Sequence, residues 1–165
     1  MSAIVVSDTG PVHYLVLIEA IHVLPRLFDR VIIPPAVTSE LQHPNTPVAV
    51  QSWISALPPW VELRAPATVN SGFKLGPGET EAIALALELK VEAVLMDDHR
   101  ARTAAIQTGL PVLGTLTILE MGAERGLLDL STALDALRKT NFHAKPSLYE
   151  EALLRHQQRL KLRKQ

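Results

Sequence analysis

The segment Glu79–Met96, ETEAIALALELKVEAVLM, with Asp97-Asp98 directly after it, decides the fold. Glu79–Lys90 is rich in Ala, Leu and Glu, all strong helix formers, so it reads as a helix. Val91-Glu92 leads on to Ala93–Met96, a short apolar run that reads as a buried strand. The same alternation extends outward on both sides. Ala3–Ser7 (AIVVS) is a β-branched strand candidate, followed by Asp8-Thr9-Gly10-Pro11 and an apolar helical stretch, His13–Ala20. Arg30–Ile33 is a second strand closed by Pro34-Pro35, with room in Ala36–Gln42 for a short helix only. Pro47–Leu57 reads as a helix, Val61–Arg64 as a strand and Ala65–Gly78 as a loop. After the acidic pair come a helix over His99–Thr108 ended by Gly109, a last strand at Pro111–Leu113, and helices near Leu116–Arg125 and Ser131–Lys139. A final helix starts at Ser147, with Tyr149, Leu153 and Leu160 on one stripe. Strands alternating with helices predict an α/β fold, a three-layer α/β/α arrangement around a mostly parallel sheet, plus C-terminal helices.

The 165 residues match the usual size of one domain, and a 47% hydrophobic, 20% charged composition is that of an ordinary globular chain. There is no cysteine, so disulfides, thiolate nucleophiles and Cys-held zinc are excluded, and any metal must be held by oxygen or imidazole. No apolar run is long enough to cross a bilayer. Met1–Val6 lacks the basic start and cleavage site of a signal peptide, so a cytoplasmic location is expected. The net charge of −1 argues against a general positive field for nucleic acid. Its distribution is uneven, because no acid follows Glu151 while Arg155, Arg159, Lys161, Arg163 and Lys164 make the end of the chain basic. A solvated helix end is the expected reading, with phosphate contact as the alternative.

In open parallel sheets, sites form beyond the carboxyl ends of strands, and two acidic positions fall there: Asp8 and Asp97-Asp98. Asp8 is either a cap for the following helix or a functional carboxylate. Helical spacing selects two more. Glu79 shares a face with Ala82, Ile83 and Ala86, the face expected to pack on the sheet, whereas Glu81 faces with Leu85 and Glu88. Glu40 falls three residues after Val37 and one before Leu41, on the inward side of its short helix. Taken singly, each glutamate reads more readily as an ordinary boundary residue; the coincidence across four elements favours a site. Four carboxylates in one cleft repel unless a cation neutralises them, and a hard divalent ion such as Mg2+ or Mn2+ suits such oxygen donors. A metal so held can acidify a bound water and offset charge on a phosphorane-like transition state.

These residues resemble the PIN domain nucleases, and within them the small prokaryotic branch of PIN-like nucleic-acid-binding proteins. The resemblance runs from Ile4 to about Leu128. It rests on IVVSDTGPVHYL at the start, VIIPPAVTSEL around Glu40, LGPGETEAIALALEL around Glu79, VLMDDHRAR around Asp98 and LPVLGTLTIL after it. It implies catalytic, metal-holding carboxylates at Asp8, Glu40, Glu79 and Asp98, with Asp97 as an additional ligand. Glu79 stands where many relatives carry Asp, and Glu81 is close enough to compete for the role. The resemblance further implies a nuclease domain over residues 1–146, with 147–165 a basic helical extension of the same domain. The implied activity is endonucleolytic hydrolysis of single-stranded RNA with magnesium or manganese. The implied context is the toxin of a toxin-antitoxin pair, partnered by an antitoxin and often homodimeric. A catalytically inactive fold serving as an RNA- or protein-binding module is the alternative.

Arg100 and Arg102 flank the acidic turn and are candidates for holding the scissile phosphate, although Arg102, four residues after Asp98, is equally placed to pair with it. Thr9 and Ser7 are candidates for ordering a ligand or water, and are also good turn and cap residues. Gly76-Pro77-Gly78 lacks the GK[ST] ending of a P-loop and reads as a turn. With GxGxxG absent as well, a nucleotide-binding or small-molecule phosphatase role is disfavoured. The histidines show no paired metal-ligand spacing, leaving His99, beside the acidic pair, as the one of interest. Trp53 and Trp60 are expected to pack at the rim of the core rather than stack bases.

Overall fold

The structure is a computed structural model and describes residues 3–165; Met1 and Ser2, part of the segment read for a signal peptide, lie outside it. Five strands form one sheet: β1 (Ile4–Ser7), β2 (Arg30–Ile33), β3 (Val61–Leu63), β4 (Ala93–Leu95) and β5 (Val112–Leu113). The helices in chain order are α1 (Thr9–Leu17), α2 (Leu24–Leu27), α3 (Pro35–Leu41), α4 (Val48–Ser55), α5 (Pro77–Leu89), α6 (His99–Gln107), α7 (Thr115–Glu124), α8 (Leu130–Arg138) and α9 (Pro146–Arg163). The spatial order is β3-β2-β1-β4-β5, and every neighbouring pair is parallel.

Strand pleat divides the apolar side chains between two cores. Val5, Val31, Ile33, Ala93 and Leu95 point to one face, where α1, α2, α7, α8 and α9 cover them. Val6, Ile32, Val94 and Met96 point to the other, under α5 and α6. The near-continuous apolar character of the strands follows from this two-sided burial. The result is the expected three-layer α/β/α sandwich, with a sheet that is wholly parallel among the described residues. Trp53 and Trp60 lie 6.1 Å apart between ring centroids and pack against the larger core, as expected for rim residues.

Local differences from the expected elements have physical causes. Helix α1 starts at Thr9 rather than His13, because Pro11 falls in the first turn, where a missing amide costs no helical hydrogen bond. It ends at Leu17, and Glu19 then takes a left-handed backbone with φ 59°. The 3-10 turn Ile21–Val23 and the one-turn α2 were not readable as periodic segments, being too short to show a period. Leu160 does not share the buried stripe of α9: Tyr149 and Ala152 enter the core, whereas Leu160 is exposed where the helix runs past it. The basic end is solvated, as expected, and three of its arginines also make partly exposed ion pairs. Arg155 and Arg159 pair with Glu120 of α7, and Arg163 pairs with Glu124. No helix among the described residues is long and apolar enough to cross a membrane.

Strand order fixes where a site can form. The chain leaves β1 toward β2 and β3, then crosses back to place β4 on the other side of β1. Connections diverge at the carboxyl ends of β1 and β4, opening a crevice there. Asp8 and Asp97-Asp98 stand at those two ends.

Candidate metal centre

A pocket of about 230 Å³ at this crevice is lined by Asp8, Thr9, Gly10, Glu40, Gly76, Glu79, Asp97 and Asp98. All five carboxylates selected from the sequence therefore reach one small space from β1, α3, α5 and the β4–α6 turn. Glu81 does not: its Oε1 accepts a hydrogen bond of 3.0 Å from the Ala36 amide, tying α5 to the start of α3. Of the two glutamates that competed for the position, Glu79 is the one at the pocket.

Each acid is held differently. Asp8 occupies the N-cap position of α1 but makes no capping bond with its side chain. It is only 6% exposed, and its Oδ1 is buried without a hydrogen-bond partner. Burial pushes its pKa up from 3.8 to about 7; the Thr9 amide opposes that rise, and the charges of Glu79, Glu40 and Asp97 add to it. Glu79 is also raised, first by burial and then by Asp98, while the Gly76 amide, which donates to its Oε2 at 3.3 Å, and Arg100 pull it down. Asp97 is raised by burial against two hydrogen bonds from Thr115 and the nearby charge of Arg102. Its Oδ1 accepts from the Thr115 amide at 2.8 Å and its Oδ2 from the Thr115 hydroxyl at 2.6 Å. Asp98 is exposed and caps α6, its Oδ2 accepting from the Ala101 amide at 3.0 Å. Glu40 is exposed and accepts the Thr9 hydroxyl through Oε2.

Among the described residues no three His, Asp or Glu side chains stand in a ready-made ligand set. Four of the five carboxylates are turned to donors of the protein, and Asp8 Oδ1 is left over. The donor set nevertheless suits a hard divalent cation. It consists of oxygen alone, it concentrates negative charge in partial burial, and it contains an orphaned carboxylate oxygen. Close backbone approach completes the cradle. A methyl group at Gly78 would lie 2.7 Å from Glu40 Oε1, one at Gly10 would lie 3.1 Å from Asp97 Oδ2, and one at Gly114 would lie 3.2 Å from Asp97 Oδ1.

The flanking candidates separate. Arg100 is exposed and acts electrostatically on Glu79. Arg102 forms no ion pair with Asp98; its guanidinium lies by Gly114, on the Asp97 side. His99 is exposed and lines a neighbouring cavity. Ser7 is fully buried and donates to the Asp8 carbonyl, which makes it a structural residue of the strand end. Thr115 and Gly114 were not singled out from the sequence, and Gly10 and Gly78 were read only as turn residues. The signal available for Thr115 was its place just after the last strand, at the start of a helix, where a hydroxyl and a free amide occur together.

A PIN domain family model matches residues 4–158, and the chain belongs to that family. Its fold is therefore of nuclease type. Among solved structures, a PilT N-terminus domain protein, SSO1118, from the hyperthermophilic archaeon Sulfolobus solfataricus P2 is similar at 14% identity, with 86% of this chain and 99% of that chain covered and a TM-score of 0.47. No curated protein matches the sequence.

Proposed function

We propose that the protein is a divalent-metal-dependent endoribonuclease that hydrolyses phosphodiester bonds of single-stranded RNA. The observation that carries this reading is the convergence of Asp8, Glu40, Glu79, Asp97 and Asp98 on one pocket in which Asp8 Oδ1 has no partner. Asp8, Glu40, Glu79 and Asp98 would hold Mg2+ or Mn2+, with Asp97 as a further ligand or as a support fixed by Thr115. The chemistry such an ion supplies is a water acidic enough to attack phosphorus near neutral pH and positive charge opposite the developing phosphorane. The chain's own residues do the positioning. Thr9 orients Glu40, Thr115 orients Asp97, and Arg100, near enough to act on Glu79, and Arg102, beside Asp97, would bind phosphate oxygens of the strand. No protein nucleophile is required. Membership of the PIN domain family supports a nucleic-acid substrate. Resemblance to the small prokaryotic branch supports a cytoplasmic toxin restrained by an antitoxin and acting as a homodimer.

Purified protein is expected to cut single-stranded RNA with Mg2+ or Mn2+ and to stop on adding EDTA. Asp8→Asn and Asp98→Asn should each lower the rate by about 10²- to 10³-fold, the scale of losing an electrostatic contact made at the transition state. Undiminished cleavage by both variants would refute the site. A second reading, a fold-bearing module without catalysis, draws on the absence of a ready-made ligand set among the described residues. Calorimetry decides between them: RNA affinity without any Mn2+ binding would favour the module.

A further inference from the structure

Two larger cavities adjoin the acidic pocket, one on each side. One, of about 640 Å³, shares Glu40 with it and is bordered by His13, His43 and Lys139. The other, of about 550 Å³, shares Asp97 and is bordered by His99, Arg102 and Lys145. The acidic pocket, at about 230 Å³, is below the roughly 300 Å³ at which pockets begin to enclose small ligands, while both neighbours are above it. The acids meet in the central pocket, with Glu40 and Asp97 at its borders with the outer cavities, and the fixed cations lie in those outer cavities, Lys139 in one and Arg102 and Lys145 in the other.

A single segment, the α8–α9 connection, walls both outer cavities. Lys139, Thr140 and Asn141 border the first, and Phe142 through Lys145 border the second. The segment is pinned in place. The Tyr14 hydroxyl donates to Asn141 Oδ1 at 2.9 Å, and the Tyr14 ring meets Phe142 edge-on at 5.0 Å between centroids. Phe142 and Ala144 pack against the core, while Lys139, Asn141, His143 and Lys145 are exposed. Because the wall is already ordered, binding along it would lose little conformational entropy.

We infer that residues 139–145 form the binding platform for the RNA strand, with the nucleotides on either side of the scissile phosphate seated in the two outer cavities and their phosphates held by Lys139 on one side and by Lys145 and Arg102 on the other. The inference rests on the nuclease reading for the location of the scissile phosphate, but its binding component stands separately. Charge decides the class of ligand. Cations flanking an acidic centre match a polyanion whose middle phosphate lies at that centre, and cavities of about 640 and 550 Å³ fall in the range that holds small organic groups.

The test is fluorescence anisotropy of labelled decauridylate in EDTA, alongside cleavage kinetics with Mn2+. Lys139→Ala and Lys145→Ala change exposed side chains, so folding is preserved. Each should weaken binding by roughly three- to tenfold and make the dependence of log affinity on log salt shallower by about 0.7. The double variant should combine both losses. Double-variant affinity and salt dependence equal to the starting protein's would overturn the platform, as would equally tight binding of a blunt duplex of the same length. Cleavage that continues with kcat/KM and affinity unchanged in the double variant defeats the platform and leaves the nuclease standing. Lysine-dependent binding without cleavage in any metal keeps the platform and defeats the nuclease.

Discussion

Two carboxylates of this protein are equally buried and oppositely served. Asp8 and Glu120 are each 6% exposed. Glu120 receives Arg155 through two hydrogen bonds of 2.9 and 3.0 Å, with Arg159 at 3.6 Å, and locks α9 to α7. Asp8 receives no cation, and its charged neighbours Glu79, Glu40 and Asp97 are all anions. A buried acid with matched arginines completes a structure, whereas a buried acid among other acids leaves a demand for positive charge that the chain does not supply. That contrast separates architecture from candidate chemistry without reference to sequence position.

The sharpest way to break the comparison is to neutralise each acid in the metal-free protein, because the two should respond with opposite signs. Asp8 ionises near 3.8 in an unfolded chain and near 7 in the fold. A folded pKa above the unfolded one means that its stabilising contribution is fully present below pH 3.8 and is lost as pH rises through 7. The loss approaches roughly 4 kcal/mol as an upper value. Burial of Glu79 and Asp97 pushes their pKa values in the same direction. Melting in EDTA should therefore fall from pH 5 to pH 8, and Asp8→Asn should melt higher than the parent at pH 8 with little difference at pH 4. Added Mn2+ should recover more stability in the parent than in the variant. A variant less stable than the parent at pH 8 would show that Asp8 serves the fold, as Glu120 does.

Glu120→Gln is the counterpart. It removes the anion from between two arginines while keeping most of the side-chain volume. Arg155 and Arg159 are 47% and 38% exposed and can turn to water, so the cost should be about 1–2 kcal/mol rather than the larger value of a sealed pair. Chemical denaturation measures it, with RNA cleavage unchanged. A gain of stability on this substitution would remove the contrast with Asp8.

The layers of the fold were legible because Glu79–Met96 and AIVVS carry strong local patterns, and because parallel strands buried on both faces are apolar throughout. The positions of Asp8, Glu40, Glu79, Asp97 and Asp98 were legible for a related reason: strand ends and the helical spacing from Ala82 and Val37 fix directions before any tertiary contact is known. Glu81 could not be separated from Glu79 on composition, since the deciding fact is a bond to Ala36, 45 residues away. The ion pairs of the basic tail were hidden for the same reason, as Glu120 lies 35 residues from Arg155. Gly78 read as a turn residue and Gly114 carried no signal, and only the packed fold shows carboxylates lying where their Cβ atoms would be.

Thr115 offers the finest distinction, because it lies between the two regimes: a fully buried hydroxyl that supplies an anion with a donor rather than a cation. Thr115→Val keeps the shape and the 2.8 Å amide bond to Asp97 Oδ1 but deletes the 2.6 Å hydroxyl bond to Oδ2. The loss should be about 1 kcal/mol, the usual net value of one buried hydrogen bond. It should be greater at pH 8 than at pH 5, since the hydroxyl favours the ionised form of Asp97 and its removal drives that pKa further up. Thr115→Ser, which keeps the hydroxyl, should restore the pH dependence even where it loses packing. If Val and Ser behave alike across pH, the hydroxyl does not hold the Asp97 charge, and the amide of α7 alone positions that side of the pocket.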